Sequence, residues 1–421
     1  MLSLDLIVRD TEMVRERLRA RGEPDAPLDE VLDLDGKRRS LIKEGDDLRA
    51  RRNEASRGVG ATGKKPSPEQ ITEMRRIGDR VKAIDVELEG IQAKLDAILL
   101  TLPNLPLADV PVGADSSSNV IVRQVGEPMA RDYPVPAHWD LDPETVGINV
   151  EAGTRMSGAR FYALTGKASQ LQRALVNWML DTHVREHGYT EVAPPLLVRG
   201  DTMTGSGNLP KFADNLYHDA EEDLWLLPTA EVALNALHAG EIIPAGRLPL
   251  KYVAHTQCFR REKAAAGRDT RGIKRVHQFE KVEMFRFVEP AQSEAAHAEM
   301  VDEASKLCER LGLAYRVLKL CAGDIGFQSA KTFDLEVWAA GSKEWLEVSS
   351  VSTCTEFQCR RNNTRYRPRP DASPRLPHTL NGSGLAIPRV LIALVENNYQ
   401  ADGTITVPEV LRPYAGFDRI P

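Results

Sequence analysis

Arg260, Arg261 and Glu262, then Arg268, Asp269, Arg271 and Arg275, then Phe279, Lys281 and Glu283 fall within one short stretch, with Gly267 and Gly272 between them. A forked guanidinium pairs with phosphate or carboxylate through two contacts, a phenyl ring stacks a planar base, and a carboxylate accepts from a small polar group. Spacing decides which of these act together. Side chains in a strand repeat every two residues, so a strand over 279–287 puts Phe279, Lys281, Glu283, Phe285 and Phe287 on one face. Tyr252, Val253 and Thr256 mark 251–262 as a facing strand, on which Arg260 and Glu262 stand two apart and point the same way. The loop between the strands is dense in Gly, Arg and Lys. A charged hairpin on a solvated sheet shows the same alternation, so the hairpin alone leaves both readings open.

Near the carboxyl end, Asn381-Gly382-Ser383-Gly384 offers backbone that can come close to a ligand. Ile387, Val390, Leu391, Leu394 and Val395 then predict an amphipathic helix with Arg389 in its first turn. An arginine there is more often simply solvated. A helix is expected from Gln170 to His187, with Leu171, Leu175, Trp178 and Met179 on one side and Gly188 as its stop. The extended run Gly188-Tyr189-Thr190-Glu191-Val192-Ala193-Pro194-Pro195 reads by itself only as a strand end.

The first hundred residues are of another kind. Met74, Val81, Leu88 and Leu95 recur every seven positions, as do Ile77, Ile84, Ile91 and Ile98, giving a heptad seam that needs a partner helix. The partner is expected over about 28–57, where Leu34, Leu41, Leu48 and Ala55 make one ladder and Arg38, Gly45 and Arg52 the other. Gly58, Gly60, Gly63, Pro66 and Pro68 break the pattern between them, so an antiparallel hairpin follows. Arg49, Arg51, Arg52, Arg57, Lys64, Lys65, Arg75, Arg76, Arg80 and Lys82 fall toward its tip. Such an arm serves either as a solvated dimerisation coil or as a basic probe reaching about 45 Å from a body at 1.5 Å per residue. The chain turns irregular after Pro103-Asn104-Leu105-Pro106, where a domain boundary is expected.

Composition narrows the class. The 421 residues suffice for two or three domains, and 28% charged with 42% hydrophobic residues is ordinary for a globular protein. No apolar run approaches the ~20 residues needed to span a bilayer, and Asp5, Arg9, Asp10 and Glu12 occupy the place of a secretory apolar segment, so the cytoplasm is expected. Five cysteines, Cys258, Cys308, Cys321, Cys354 and Cys359, form no Cys-x-x-Cys pair, and no His, Cys and carboxylate cluster is evident, so free thiols and no zinc are expected. A net charge of −6 gives no global attraction to nucleic acid, and any RNA contact must come from a local basic patch. Neither a Gly-x-Gly-x-x-Gly nor a Gly-x-x-x-x-Gly-Lys-Ser/Thr nucleotide loop is present.

Taken together, the segments resemble a known family. The hairpin resembles motif 2 of the class II aminoacyl-tRNA synthetases, Gly188–Pro195 resembles motif 1, and His378-Thr379-Leu380-Asn381-Gly382-Ser383-Gly384-Leu385-Ala386 with Arg389 resembles motif 3. Pro228-Thr229-Ala230-Glu231-Val232 and Glu347-Val348-Ser349-Ser350 resemble the serine-binding strand and the metal and ATP strand of bacterial seryl-tRNA synthetases, and the similarity runs from Met1-Leu2-Ser3-Leu4 to Arg412-Pro413-Tyr414. The resemblance implies an α+β fold: an N-terminal antiparallel helical coiled-coil arm in residues 1–105 and, in 106–421, a catalytic domain built on an antiparallel sheet flanked by helices. It implies activation of L-serine by ATP with Mg²⁺ and transfer to tRNA(Ser), with tRNA(Sec) as a further acceptor, in a cytoplasmic homodimer.

Residue by residue, the resemblance implies that Arg260 bridges the serine carboxylate and the α-phosphate, and that Arg389 stacks over adenine opposite Phe279. Arg260, Glu262 and Arg389 are the catalytic set. Thr229, Ala230, Glu231 and Asn381 form the amino-group site, and Glu283 and Ser383 receive the hydroxyl. Arg261, Glu262, Val276, Glu347, Val348, Ser349 and Ser350 complete the ATP site, Glu347 and Ser350 hold Mg²⁺, and Arg49, Arg52, Lys64, Lys65, Arg75 and Arg76 meet the tRNA. Three positions depart from the usual pattern: Arg261 with Lys263-Ala264 beyond it, Cys359 for a commoner alanine, and Ser383 for threonine. Two rivals share these features, a serine-activating paralogue that loads a non-tRNA acceptor and a catalytically silent RNA-binding paralogue.

Overall fold

The heptad seam folds as its spacing requires. In the computed structural model, which describes residues 1–62 (58–62 by backbone alone), 67–128, 130–263 and 270–421, helix α1 (Leu28–Thr62) and helix α2 (Pro68–Thr101) form the long hairpin. With so short a connection, helices this long can return only antiparallel. Ile77, Val81, Ile84, Leu95 and Leu99 are buried along α2. Gly45 of α1 lies against Ile84, where a Cβ would stand 3.5 Å from its Cγ2, an ordinary packing contact. Ionic contacts flank this seam at the same level, with Arg80 on Glu44 at 2.6 Å and Arg49 on Asp85 at 2.6 Å. Helix α1 runs further than the glycines suggested, through Gly58 and Gly60 to Thr62. Ser67 and Gln70 then cap α2 reciprocally, with Pro68 opening the helix. Gly63, Lys64, Lys65 and Pro66 lie outside the described residues.

The hairpin belongs to one compact unit, Leu2–Arg19 with Glu23–Leu102; Pro103–Pro421, with Met1 and Ala20–Gly22, forms the other. An eight-stranded sheet organises the larger unit. In chain order its strands are β1 (Val120–Val125), β2 (Thr190–Glu191), β3 (Leu250–Phe259), β4 (Gln278–Val288), β5 (Tyr315–Lys319), β6 (Lys331–Ala339), β7 (Glu344–Thr355) and β8 (His378–Ala386). They lie in the order β1-β5-β6-β7-β8-β4-β3-β2, antiparallel throughout except for the parallel pair β2 and β3. Helices α3 (Gly166–Arg185), α5 (Ser293–Arg310) and α7 (Ile387–Asn397), with the short α4 (Glu231–Ala236) and α6 (Phe357–Asn362), complete the unit. Val282, Met284, Val351 and Leu380 of the sheet share one apolar cluster with Leu175, Trp178, Met179, Met300, Leu307, Leu391 and Leu394 of the helices. Phe285 and Phe287, on the alternate parity of β4, pack instead with Ala230, Leu234 and Cys359.

Strand β4 is therefore covered on both faces, and every residue from Lys281 to Phe287 is buried. The solvated-hairpin alternative does not describe it. Three expectations change at the edges of elements. Strand β3 ends at Phe259, so Arg260 and Glu262 lie beyond it, and Glu262 takes φ +48°, a turn conformation. Thr229 to Glu231 form a turn into α4 rather than a strand. Helix α7 keeps the apolar stripe expected of it but is buried all round apart from Arg389, not on one side alone. The glycines of β8 also have another reason than ligand approach. A Cβ on Gly382 would stand 3.1 Å from Val351 and one on Gly384 2.7 Å from the His183 Nε2, both on the helix-covered side.

A buried polar knot fixes the end of the sheet. Arg286 of β4 donates to the Tyr189 hydroxyl at 2.7 Å, to Glu299 at 2.7 Å and to Glu303 at 2.6 and 2.7 Å, while Lys251 of β3 reaches Glu299 at 2.9 Å. A buried guanidinium is tolerable only with its donors satisfied, and here strand, helix α5 and the run leading into β2 satisfy them together. Two glycines give opposite tests of packing. Gly384→Ala, crowded against the buried His183, is expected to destabilise the protein by about 1–3 kcal/mol. Gly36→Ala, mid-helix in α1 with nothing within 4 Å, is expected to stabilise by about 0.5–1 kcal/mol. Denaturant unfolding of the two variants beside the parent checks both signs.

Candidate active site

Strands β4, β6, β7 and β8 wall a cavity of about 680 Å³. The sheet is irregular where the cavity lies. Its ladder shifts register between Lys281 and Glu283 opposite β8, between Leu335 and Glu336 opposite β7, and between Thr353 and Thr355. At the first of these Leu385, fully buried, is held at φ +99°. An extra residue in one strand re-aims the side chains that follow, and here it falls in Gly384-Leu385, just past the Glu283–Ser383 pair, so that Lys281 comes opposite Ala386. Of the residues expected at the site, Thr229, Glu231, Arg260, Glu262, Val276, Phe279, Glu283, Glu347, Val348, Ser349, Ser350, Asn381, Ser383 and Arg389 line this one cavity.

One corner gathers two buried carboxylates, an ammonium and a hydroxyl. Glu283, buried at the middle of β4, is paired by Lys281 at 2.5 Å, and Lys281 also donates to the Thr229 hydroxyl at 2.9 Å. Asn381 of β8 approaches Glu283 at 3.5 Å. Glu231, at the start of α4, accepts on Oε1 from Gln358 at 2.7 Å and from Gln328 at 3.3 Å. Burial, and then the neighbouring Glu283, push its carboxyl up to about 7, against the opposing pull of Lys281 and the two amides. Ser349 spends its hydroxyl on the Ser383 carbonyl at 2.6 Å and so ties β7 to β8. Ala230 lies in the apolar cluster behind this corner, away from the lining residues.

Cations beside an aromatic ring also line the cavity. The Arg260 guanidinium lies 5.2 Å from the centre of the Phe279 ring and is steadied by the Pro228 carbonyl at 3.1 Å. Arg275 faces Glu262 at 3.5 Å. Arg389 donates to the Glu347 carbonyl at 2.7 Å, lies 3.4 Å from its carboxylate and reaches the Lys274 carbonyl at 3.3 Å, so it is pinned across the strand end rather than free in solvent. Arg261 points elsewhere, over the Tyr217 ring at 5.2 Å. Residues 264–269, including Gly267, Arg268 and Asp269, lie outside the described residues. The His277 ring bonds the Arg260 carbonyl at 3.0 Å and serves the loop's shape.

Several lining groups escaped the sequence reading. Asp334 and Glu336 of β6 face Ser350 and Glu347 across the ladder. Burial, and then Glu347, push the Asp334 carboxyl well above its ordinary range, and its Oδ1 is buried without a hydrogen-bond partner. The two-residue spacing of Asp334 and Glu336 was the available signal. Nothing local marks Gln358, which lies 127 residues from Glu231. Outside the cavity, His183, His187 and Glu303 bring ligand-type atoms within 4.8 Å of one another, a cluster the sequence reading did not find. Both oxygens of Glu303 are taken by Arg286, and the Tyr189 hydroxyl bonds one of them as well. All five cysteines are buried and free. On the arm, Arg49 pairs with Asp46 and Asp85 and Arg76 with Glu73, whereas Arg52 and Arg75 are exposed with no ionic partner among the described residues.

Comparison with known proteins gives the family. Residues 1–106 match the model of the seryl-tRNA synthetase N-terminal domain, and residues 212–398 match that of the tRNA synthetase class II core domain for G, H, P, S and T. A serine–tRNA ligase of Thermomicrobium roseum is 55% identical over 417 residues, 99% of this chain and 94% of that protein. One from Herpetosiphon aurantiacus is 49% identical over the whole of both chains. The crystal structure of seryl-tRNA synthetase from Pyrococcus horikoshii complexed with ATP superposes with a TM-score of 0.94 at 37% identity, covering 100% of this chain and 99% of that one. With this identity sustained end to end over an arm and a class II core, the chain belongs to the seryl-tRNA synthetase family.

Proposed function

We propose that the protein joins L-serine to ATP as seryl-adenylate and passes the seryl group to the 3′ end of tRNA(Ser), and to tRNA(Sec) where that acceptor exists, in the cytoplasm. The reading rests on one observation: a buried, paired carboxylate for a hydroxyl, an acidic corner for an ammonium and two guanidiniums for anions line a single cavity. In the first step a serine carboxylate oxygen attacks the α-phosphorus and the bond to pyrophosphate breaks. The nucleophile is already an anion, so the site has no proton to remove and must instead hold two negative groups together. Arg260 is the residue for that task, with Phe279 and Arg389 on either side of the adenine and Glu262 and Val276 along the nucleotide, while Arg261, turned onto Tyr217, takes no part.

Glu347, Ser350 and the unpartnered Asp334 Oδ1 are hard oxygens of the kind that suit Mg²⁺. Mg²⁺ held there would neutralise charge on the departing pyrophosphate. Serine is chosen by its two polar ends, the amine at Thr229, Glu231 and Asn381 and the hydroxyl at Glu283 and Ser383. Alanine would leave Glu283 with an unanswered place and is rejected on the order of 10⁴-fold. Residues 1–105 serve the tRNA through the basic arm, whose dispersed Arg49, Arg52, Lys64, Lys65, Arg75 and Arg76 suit backbone and shape recognition, and 106–421 carry the chemistry. The active form is a homodimer in which the arm of one subunit guides tRNA to the body of the other.

Serine-dependent ATP–pyrophosphate exchange followed by charging of total tRNA tests the reading directly. Exchange with serine and not alanine, then charging of a tRNA, is the expected result; exchange without charging would favour a non-tRNA acceptor, and a folded protein without exchange a silent paralogue. The pH dependence has a definite sign. Glu231 is a neutral acid below about 7 and a carboxylate above it, and only the carboxylate pairs with an ammonium. The kcat/KM for serine, which reports the free enzyme, is therefore expected to fall through one ionisation as pH drops past that value, with kcat at saturating serine much flatter. Replacing residues 45–84 by a short turn is expected to spare exchange and abolish charging. Mixing that variant with Glu231→Gln subunits restores charging if the arm works across the dimer and leaves none if each arm serves its own body.

A further inference from the structure

Behind the acidic corner lies a carboxamide with no freedom left. Gln358, in the first turn of α6 and fully buried, accepts on Oε1 from the Thr379 hydroxyl at 2.6 Å. Its Nε2 donates to the Ser206 carbonyl at 3.0 Å and to Glu231 Oε1 at 2.7 Å. Turning the amide over would set its oxygen against two acceptor oxygens, so the orientation is dictated by its partners. Gln328 adds its donor, at 3.3 Å, to the same Glu231 Oε1. Two donors thus converge on one oxygen of the carboxylate, and among the described residues no hydrogen bond reaches the other, Oε2.

We propose that Gln358 is a positioning residue for serine selection: anchored by Thr379 and Ser206, it fixes Oε1 of Glu231 and so presents Oε2 to the substrate ammonium. The inference rests on the amino-group role given to Glu231 above. A carboxylate on a short helix start could otherwise rotate, and at a residue as buried as Glu231 a misdirected oxygen forfeits a charge-assisted bond. The charged and titratable groups facing Glu231 are Lys281 and Glu283 from β4 and Cys354 from β7; Gln358 and Gln328 supply the hydrogen bonds that favour its ionised form.

Gln358→Met keeps the length and removes the donor. In ATP–pyrophosphate exchange the KM for serine is expected to rise on the order of 10- to 100-fold, the loss of one hydrogen bond to a charged group. The KM for ATP and kcat should stay within about threefold, and the acid limb of kcat/KM for serine should move to higher pH because the ionised carboxylate has lost a donor. Thr379→Val, which removes only the anchor, is expected to give the same pattern in smaller measure, and it carries the test if Gln358→Met does not fold. A folded Gln358→Met with an unchanged KM for serine would overturn the proposal, as would serine and ATP constants rising together with the acid limb unmoved. Glu231→Gln, measured alongside, separates the two claims: if it leaves the KM for serine unchanged, the amino-group reading itself has failed.

Discussion

A carboxylate buried in the middle of a sheet is the constraint from which much of this structure follows. Glu283 can be there because Lys281, two residues along the same strand and on the same side, brings an ammonium to 2.5 Å. Removing two ions from water costs several kcal/mol each, and the pair returns that only if the remaining donors and acceptors are met. Lys281 therefore also holds Thr229, and Asn381 is brought in from the neighbouring strand. The chain cannot assemble this set from one element. It needs β4, β8 and the turn into α4 side by side, which is what the crossed order of the sheet provides.

The electrostatic cost rises further along the cavity wall. Glu231 and Asp334 are each raised by burial and by another carboxylate close by, Glu283 for the first and Glu347 for the second. Such clusters disfavour the empty site and favour bound cations, the occupancy that the proposed function assigns to them. The same physics accounts for the knot around Arg286, where opposite charges are complete within the protein and nothing is left for a ligand.

Local periodicity made much of this legible. The two-residue repeat from Phe279 to Phe287 gave the strand and its polar face, and the seven-residue repeat from Met74 to Ile98 gave the arm. What escaped depended on contacts without a local signature. Arg260 and Glu262 seemed to continue a strand because they keep its spacing, but Glu262 turns at φ +48° and both reach the cavity from a loop. The glycines of β8 suggested a ligand, whereas their space is filled by Val351 and His183 from distant segments. Gln358 meets Glu231 across 127 residues, a contact no window of sequence contains.

The register shifts beside the cavity carry a consequence for how such a chain can change. Each displaces the inward and outward phase of its strand by one residue, one beside the Glu283–Ser383 pair and another beside the Glu336–Glu347 pair. Replacing a lining side chain alters one contact. Deleting a single residue between the shift and the site would turn every later side chain to the opposite face, burying the polar set and exposing its apolar neighbours. The lineage of such a sheet is thus far freer to drift in identity than in length, and the spacing of these segments should outlast the residues that fill it.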